Sequence, residues 1–109
     1  MSIKKTDTAK GNTETTDAGR KTYVLRLFVT GILPNSVRAV LNIKAICEKY
    51  LIDRYELEII DIYQQPDLAI TEDILVVPVL IKKSPFPEVR MIGDLSNSDK
   101  VLTGLGINH

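Results

Sequence analysis

Residues Tyr23–Ile62 read YVLRLFVTGILPNSVRAVLNIKAICEKYLIDRYELEIIDI, and this stretch decides the fold. Its opening, Tyr23–Val29, is apolar, aromatic or β-branched apart from Arg26, the pattern of an interior strand covered on both faces. Gly31 then allows a turn. Pro34-Asn35-Ser36 signals helix entry, with Asn35 or Ser36 placed to accept from the first free backbone N–H groups. From Val37 to Leu51, the residues Val40, Ile43, Cys47 and Tyr50 recur at spacings of three and four, which predicts a helix with one side against a sheet. Lys44 and Glu48 form an i,i+4 pair on that helix. Tyr55–Ile62 begins with period-two alternation and ends apolar, as a second strand does. Two strands joined through an amphipathic helix make a right-handed unit with parallel pairing.

Beyond this unit, Tyr63–Asp67 breaks the apolar run and Asp67–Asp73 reads as a short helix. Ile74–Ile81 is the most hydrophobic segment, but Pro78 removes a ladder donor, so the strand must bend or begin again there. Lys82–Pro87 reads as a turn leading to Val89–Ile92, the second member of a hairpin closed by Gly93-Asp94. Ser96 and Asp99 stand at capping-box spacing ahead of an apolar stripe of Val101, Leu102 and Leu105. The resulting order, βαβαββα, is compatible with an α/β, thioredoxin-like plan. On the other side, residues 1–19 are polar with almost nothing to bury, and are expected to form a disordered tail ahead of one domain at 20–109.

Composition removes several classes of function. Fourteen basic residues balance fourteen acidic ones, which argues against nucleic acid or an acidic membrane as partner. No run is long enough to span a bilayer and the start lacks the apolar stretch of a signal peptide, so the expected location is cytoplasmic. The single cysteine, Cys47, excludes an intramolecular disulfide, a paired-cysteine redox motif and a multi-cysteine zinc site. A thiol enzyme of this plan would need cysteine in the Thr30–Ser36 turn, where a helix terminus stabilises thiolate. Cys47 instead falls on the apolar side of the helix and reads as core. His109 is terminal and cannot be held as an oriented base. Phosphate-loop and dinucleotide glycine patterns are missing. No catalytic, cofactor or metal residue is assigned, and the expectation is a protein that is not an enzyme. Lys82, Lys83 and Arg90 read as solvated charges that discourage edge-to-edge aggregation.

The combination of Arg20-Lys-Thr-Tyr23, Leu25, Pro34-Asn-Ser-Val-Arg-Ala39, Ile60-Asp61, Pro66, Pro78, Ile92-Gly-Asp-Leu-Ser96, Lys100-Val-Leu102 and Gly104-Leu105 closely resembles the KaiB circadian-clock family. The resemblance runs from Arg20 to Leu105. It implies a regulatory partner of KaiC, a hexameric ATPase with autokinase and autophosphatase activities, whose phosphorylation state the KaiB-like protein modulates. It also implies a metamorphic fold. A resting form of order βαββααβ, assembled as a homo-oligomer (tetramer or dimer), exchanges with a partner-bound monomer of order βαβαββα. The part through Ile62 is common to both forms.

The candidate partner-binding or fold-switch residues on this resemblance are Arg38, Glu58, Pro78, Gly93 and Asp94. Gly93-Asp94 matches the place where substitution biases the family toward the monomer, and Pro78 the thioredoxin-like cis-proline position. Glu58 stands where cyanobacterial relatives commonly carry Lys, and Ile32-Leu33 replaces a polar pair. A reversed charge alters partner selection, and these departures weigh against capture of a KaiA-like protein. A stress-response pathway is therefore an alternative to a clock. An adaptor or sensor module acting on a histidine kinase without a KaiC clock is the other reading.

Overall fold

The computed structural model describes residues 2–3, 22–31 and 33–107. Its elements are β1 (Ser2–Ile3), β2 (Tyr23–Val29), α1 (Pro34–Tyr50), β3 (Tyr55–Asp61), α2 (Pro66–Thr71), β4 (Val79–Ser84), β5 (Val89–Ile92) and α3 (Ser98–Leu105). They build one sheet in the order β1-β3-β2-β4-β5. β2 and β3 run parallel in unbroken register from Tyr23↔Tyr55 to Val29↔Asp61, and the other neighbours are antiparallel. From β2 onward the order is βαβαββα, as the sequence predicts. The expected tail at 1–19 lies outside the described residues except for Ser2–Ile3, whose backbone pairs with Leu57 and Glu58.

Alternation along β2 and β3 sends side chains to two cores. One face carries Leu25, Leu27, Tyr55, Leu57 and Leu80 against Ala39, Ile43 and Cys47 of α1 and Val101, Leu102 and Leu105 of α3. The opposite face buries Phe28, Ile60, Val79 and Ile81, with Leu68 of α2 and the segment residues Ile74 and Val77 packed against them. This two-sided burial explains why Tyr23–Val29 reads as an interior strand.

Four boundaries differ from the sequence reading. One is the end of β4, which runs to Ser84 where the sequence reads Lys82–Pro87 as a turn. β4 begins at Val79 rather than Ile74. Pro78 has no N–H to give the ladder, and the residues before it pass over the sheet as a loop. Ile74 and Val77 pack onto the sheet from outside it, while Leu75 and Val76 are exposed. The first cap of α1 is neither Asn35 nor Ser36: Leu33 occupies that position, Pro34 starts the helix, and Ser36 Oγ accepts from the Thr30 N–H at 3.1 Å. At α3 the cap is Asn97, whose side chain accepts from the Lys100 N–H at 3.1 Å, displacing Ser96 from the expected role. Gly106 closes α3 in the left-handed region at φ 78°. Among the described residues, no helix is long and apolar enough to cross a membrane.

Cys47 is fully buried, as its spacing predicts. Burial first, and the negative charge of Glu48 second, push its thiol up to about 12. Thiolate is therefore negligible at neutral pH. Replacing Cys47 by Ala should cost about 1 kcal/mol through a small cavity, measured by denaturant unfolding. In the parent protein, a disulfide reagent at pH 8 should label Cys47 only as fast as the protein opens. Labelling at the rate of a free thiol would contradict its burial.

Candidate partner-binding site

The turn after β5 is pinned to α1. Arg38, on the first turns of α1, donates from Nε to Asp94 Oδ2 at 3.1 Å and also contacts the Asn35 side-chain oxygen. One turn further along, Asn42 Nδ2 donates to the Asp94 carbonyl at 2.8 Å. The other Asp94 oxygen accepts from the Ser96 N–H at 3.1 Å. Hydrogen bonding from Ser96, then from Arg38, holds the Asp94 carboxyl below the ordinary carboxylate range. The backbone here is bent sharply, with Gly93 at φ 117° and Leu95 at φ 63°. Leu95 is nonetheless buried against the α1–α3 core, and its contacts offset the left-handed geometry. Pro78 joins the same region: its carbonyl accepts from the Gly93 N–H at 2.9 Å. The Val77–Pro78 peptide bond is cis. Pro78 and Val77 face Leu33, Pro34 and Arg38 across an open groove of about 400 Å³.

Thus Arg38, Pro78, Gly93 and Asp94, far apart in sequence, meet at one end of the sheet. Glu58 does not join them. It sits mid-strand in β3, with Arg26 Nε 3.3 Å away. Arg26 also reaches Glu72, at 3.0 Å, just past α2. Glu72 is the hub of a larger network. Lys83 Nζ donates to both its oxygens at 3.2 and 3.0 Å, and Arg90 donates to its carbonyl at 2.6 Å. Glu88 completes the network through Lys83 at 3.3 Å. The hydrogen bond to Glu72, opposed by burial and reinforced by Glu88, raises the Lys83 pKa.

The hairpin charges Lys83 and Arg90 are therefore fixing α2 to the sheet, and are not merely solvated edge residues. Lys82 departs from that reading too, being buried at 4% exposure opposite Leu25 of β2. Glu72 escapes sequence reading because its three cations come from β2, β4 and β5, and no local spacing reports such a meeting.

Around α2 the surface is apolar: Tyr63, Ile70, Leu75 and Val76 are all exposed. Asp67 and Asp73 stand exposed among them. The sequence gives Leu75 and Val76 to a strand, so their exposure becomes legible only once β4 is seen to start at Val79. Among the described residues, no group of His, Cys, Asp and Glu side chains could hold a metal ion. The turn at the start of α1 carries no thiol.

The family model for the KaiB domain matches residues 26–107, which include both clusters and the apolar surface around α2. The chain belongs to the KaiB family. It is 51% identical over 84 residues to the circadian clock protein KaiB3 of Synechocystis sp., covering 77% of this chain and 82% of that one. To the circadian clock oscillator protein KaiB of Thermosynechococcus vestitus it is 50% identical over 88 residues, covering 81% and 82%. To that of Synechococcus elongatus strain PCC 7942 it is 48% identical over 88 residues, covering 81% and 86%. The chain's single cysteine allows no paired-cysteine motif.

Two solved structures share its thioredoxin-like fold. Chloroplastic thioredoxin z superposes with a TM-score of 0.66 at 20% identity, covering 90% of this chain and 88% of that one. The N-terminal domain of Synechococcus elongatus SasA superposes with a TM-score of 0.63 at 23% identity, covering 93% and 90%.

The geometry sets the sign of two substitutions. The resemblance leads one to expect that changes at Gly93 or Asp94 favour the monomeric, thioredoxin-like form. In that form, however, Gly93 occupies positive φ and Asp94 ties α1 to the turn. Ala at 93 has open space for its Cβ but an unfavourable backbone, so Gly93→Ala should destabilise this arrangement by about 1–3 kcal/mol in denaturant melts.

Asp94→Asn should also destabilise it at neutral pH. Because the folded carboxyl titrates low, its contribution is complete above the ordinary range and fades as pH falls through the folded value. The stability gap between Asp94→Asn and parent should therefore hold at pH 6–7 and close below about pH 4. Glu72→Gln, which leaves three cations around an uncharged hub, should cost about 1–3 kcal/mol by the same melts.

Proposed function

We propose that this protein binds a KaiC-like hexameric ATPase with autokinase activity and modulates its phosphorylation state, in a circadian or stress-response system. The observation that carries this reading is family membership across residues 26–107 at about half identity to clock proteins. The surface around α2 is the contact face in this reading. Tyr63, Ile70, Leu75 and Val76 offer apolar area exposed in the monomer, which a stable interface would cover. With no reaction of its own, the protein acts by changing which states of its partner are populated.

The thioredoxin-like arrangement is the partner-binding form in this proposal, and a resting, self-associated form of order βαββααβ exchanges with it. Support comes from local conflict in the C-terminal half. Leu95 is held at positive φ, and Ile74–Val77 is strand-like in composition yet lies outside the sheet. Each feature leaves the arrangement a cost that another packing could relieve. The pinned turn of Arg38, Asn42 and Asp94 would then belong to the binding form, because it joins the common first half to the part that rearranges.

Native mass spectrometry of the protein with its own host's KaiC-like protein, under ATP and under ADP, tests the proposal. The expected result is a self-associated free protein and a nucleotide-dependent complex built from its monomers. A complex with a histidine kinase and none with the ATPase would favour the adaptor reading instead. Backbone chemical shifts that match from Pro66 to Leu105 in free and bound protein, with no exchanging minor state, would overturn the exchange between forms.

A further inference from the structure

The helix α1 is apolar on more than the face it buries. Ser36, Ala39, Ile43, Ile46 and Cys47 are its buried residues. Away from them Leu33, Val37 and Leu41 are exposed at 50%, 45% and 62%. Ala45 continues the row at the same four-residue spacing and is exposed too. A row at i, i+4 and i+8 forms a ridge on a helix surface, and two such ridges interdigitate in the commonest helix crossing, at about 50°. Beside the ridge lies an open hollow of about 230 Å³ between Gly31, Val37, Val40 and Leu41, with room for an apolar side chain. An unpartnered apolar row with a hollow beside it marks a contact surface.

The charges at the two ends of the hollow say what fits it. Asp61 stands at the Gly31 end, where a Cβ placed on Gly31 would lie 2.8 Å from its Oδ2. Lys44 stands at the other end, one turn beyond Val40, and makes no ion pair among the described residues. Glu48, a turn further on, is drawn toward β3 by the Tyr55 hydroxyl, which donates to it at 2.5 Å. A second copy laid antiparallel across the ridge exchanges the two ends. Each Asp61 then meets the other copy's Lys44, and each Val37 faces the other copy's Leu41. A parallel copy would instead set Asp61 against Asp61, which is unfavourable. The surface is therefore complementary to itself about a two-fold axis, as a closed dimer requires.

We propose that the α1 ridge is a self-association surface, on which a second copy of this chain seats its own α1 antiparallel. It lies across the sheet from α2, so the pairing leaves the contact face proposed above uncovered. Cysteine pairs read the geometry. Under mild oxidation, an equal mixture of Val37→Cys and Leu41→Cys should form the mixed disulfide about tenfold faster than either variant alone forms its own. The native Cys47 is buried and stays out of the reaction. Lys44→Glu in both copies should slow the mixed disulfide, because each Asp61 then meets a like charge. In sedimentation, Leu41→Lys, at an exposed position outside the core, should raise the dissociation constant of self-association about tenfold or more.

Equal rates for the mixed and like pairs, rates indifferent to Lys44→Glu, or sedimentation of Leu41→Lys identical to the parent's would each overturn the proposal. So would a Leu41→Lys variant that loses a KaiC-like partner while its self-association is unchanged, since the ridge would then belong to that partner. The expected disulfide pattern without any complex with a KaiC-like ATPase would support this surface and count against the function proposed above.

Discussion

The parallel pairing of β2 with β3 is the constraint on which the rest of the molecule depends. Parallel neighbours need a crossover, and α1 supplies it, packing Ala39, Ile43 and Cys47 onto Leu25, Leu27 and Leu57. The opposite face carries Phe28 and Ile60 beside Arg26, Glu56 and Glu58, and this apolar part must also be covered. The chain after β3 does this with α2 and the 74–78 loop, over Phe28 and Ile60. Only then can it return as β4 on the free side of β2 and fold back as β5. The last helix, α3, completes the first core with Val101, Leu102 and Leu105. Each later element takes its place from surface the first pair leaves uncovered.

Two polar devices fix what apolar packing leaves loose. Hydrophobic contact is non-directional and would tolerate some sliding of α2 and of the β5–α3 turn. Glu72 holds α2 through cations drawn from β2, β4 and β5, in a position where its side chain is 11% exposed and the pairs are poorly screened. Asp94 holds the turn to α1 through Arg38 and Asn42. The two devices sit at different places on the sheet. Glu58 belongs to the first through Arg26. Its charge therefore matters to the interior of the network as well as to whatever approaches β3.

On the proposed function, what matters in this protein is its surfaces and the balance between arrangements. The absence of a thiol from the turn before α1 is the clearest chemical fact in that respect. The scaffold that holds a reactive cysteine in thioredoxin-like enzymes here presents Leu33, Pro34 and Arg38 to the groove. The burial of Cys47 keeps the chain's one thiol protonated and out of reach.

What the sequence determined by itself was whatever rests on local periodicity: the strands at Tyr23–Val29 and Tyr55–Ile62, the second one residue shorter in the structure, the helix between them, and the core position of Cys47. Those features follow from side-chain spacing along one element, which a sequence displays directly. The tertiary structure decided where β4 begins, because a strand and a buried loop have the same apolar composition and only the missing N–H of Pro78 separates them. It decided the caps: Leu33 holds its position without a side-chain hydrogen bond, and Asn97 takes the Lys100 N–H. It also decided that Arg38, Pro78, Gly93 and Asp94 meet while Glu58 stands apart, and that Lys83 and Arg90 face inward to Glu72. Hydrogen bonds and ion pairs act over a few ångströms in space, and residues dozens of positions apart reach that distance only when the sheet order has been set.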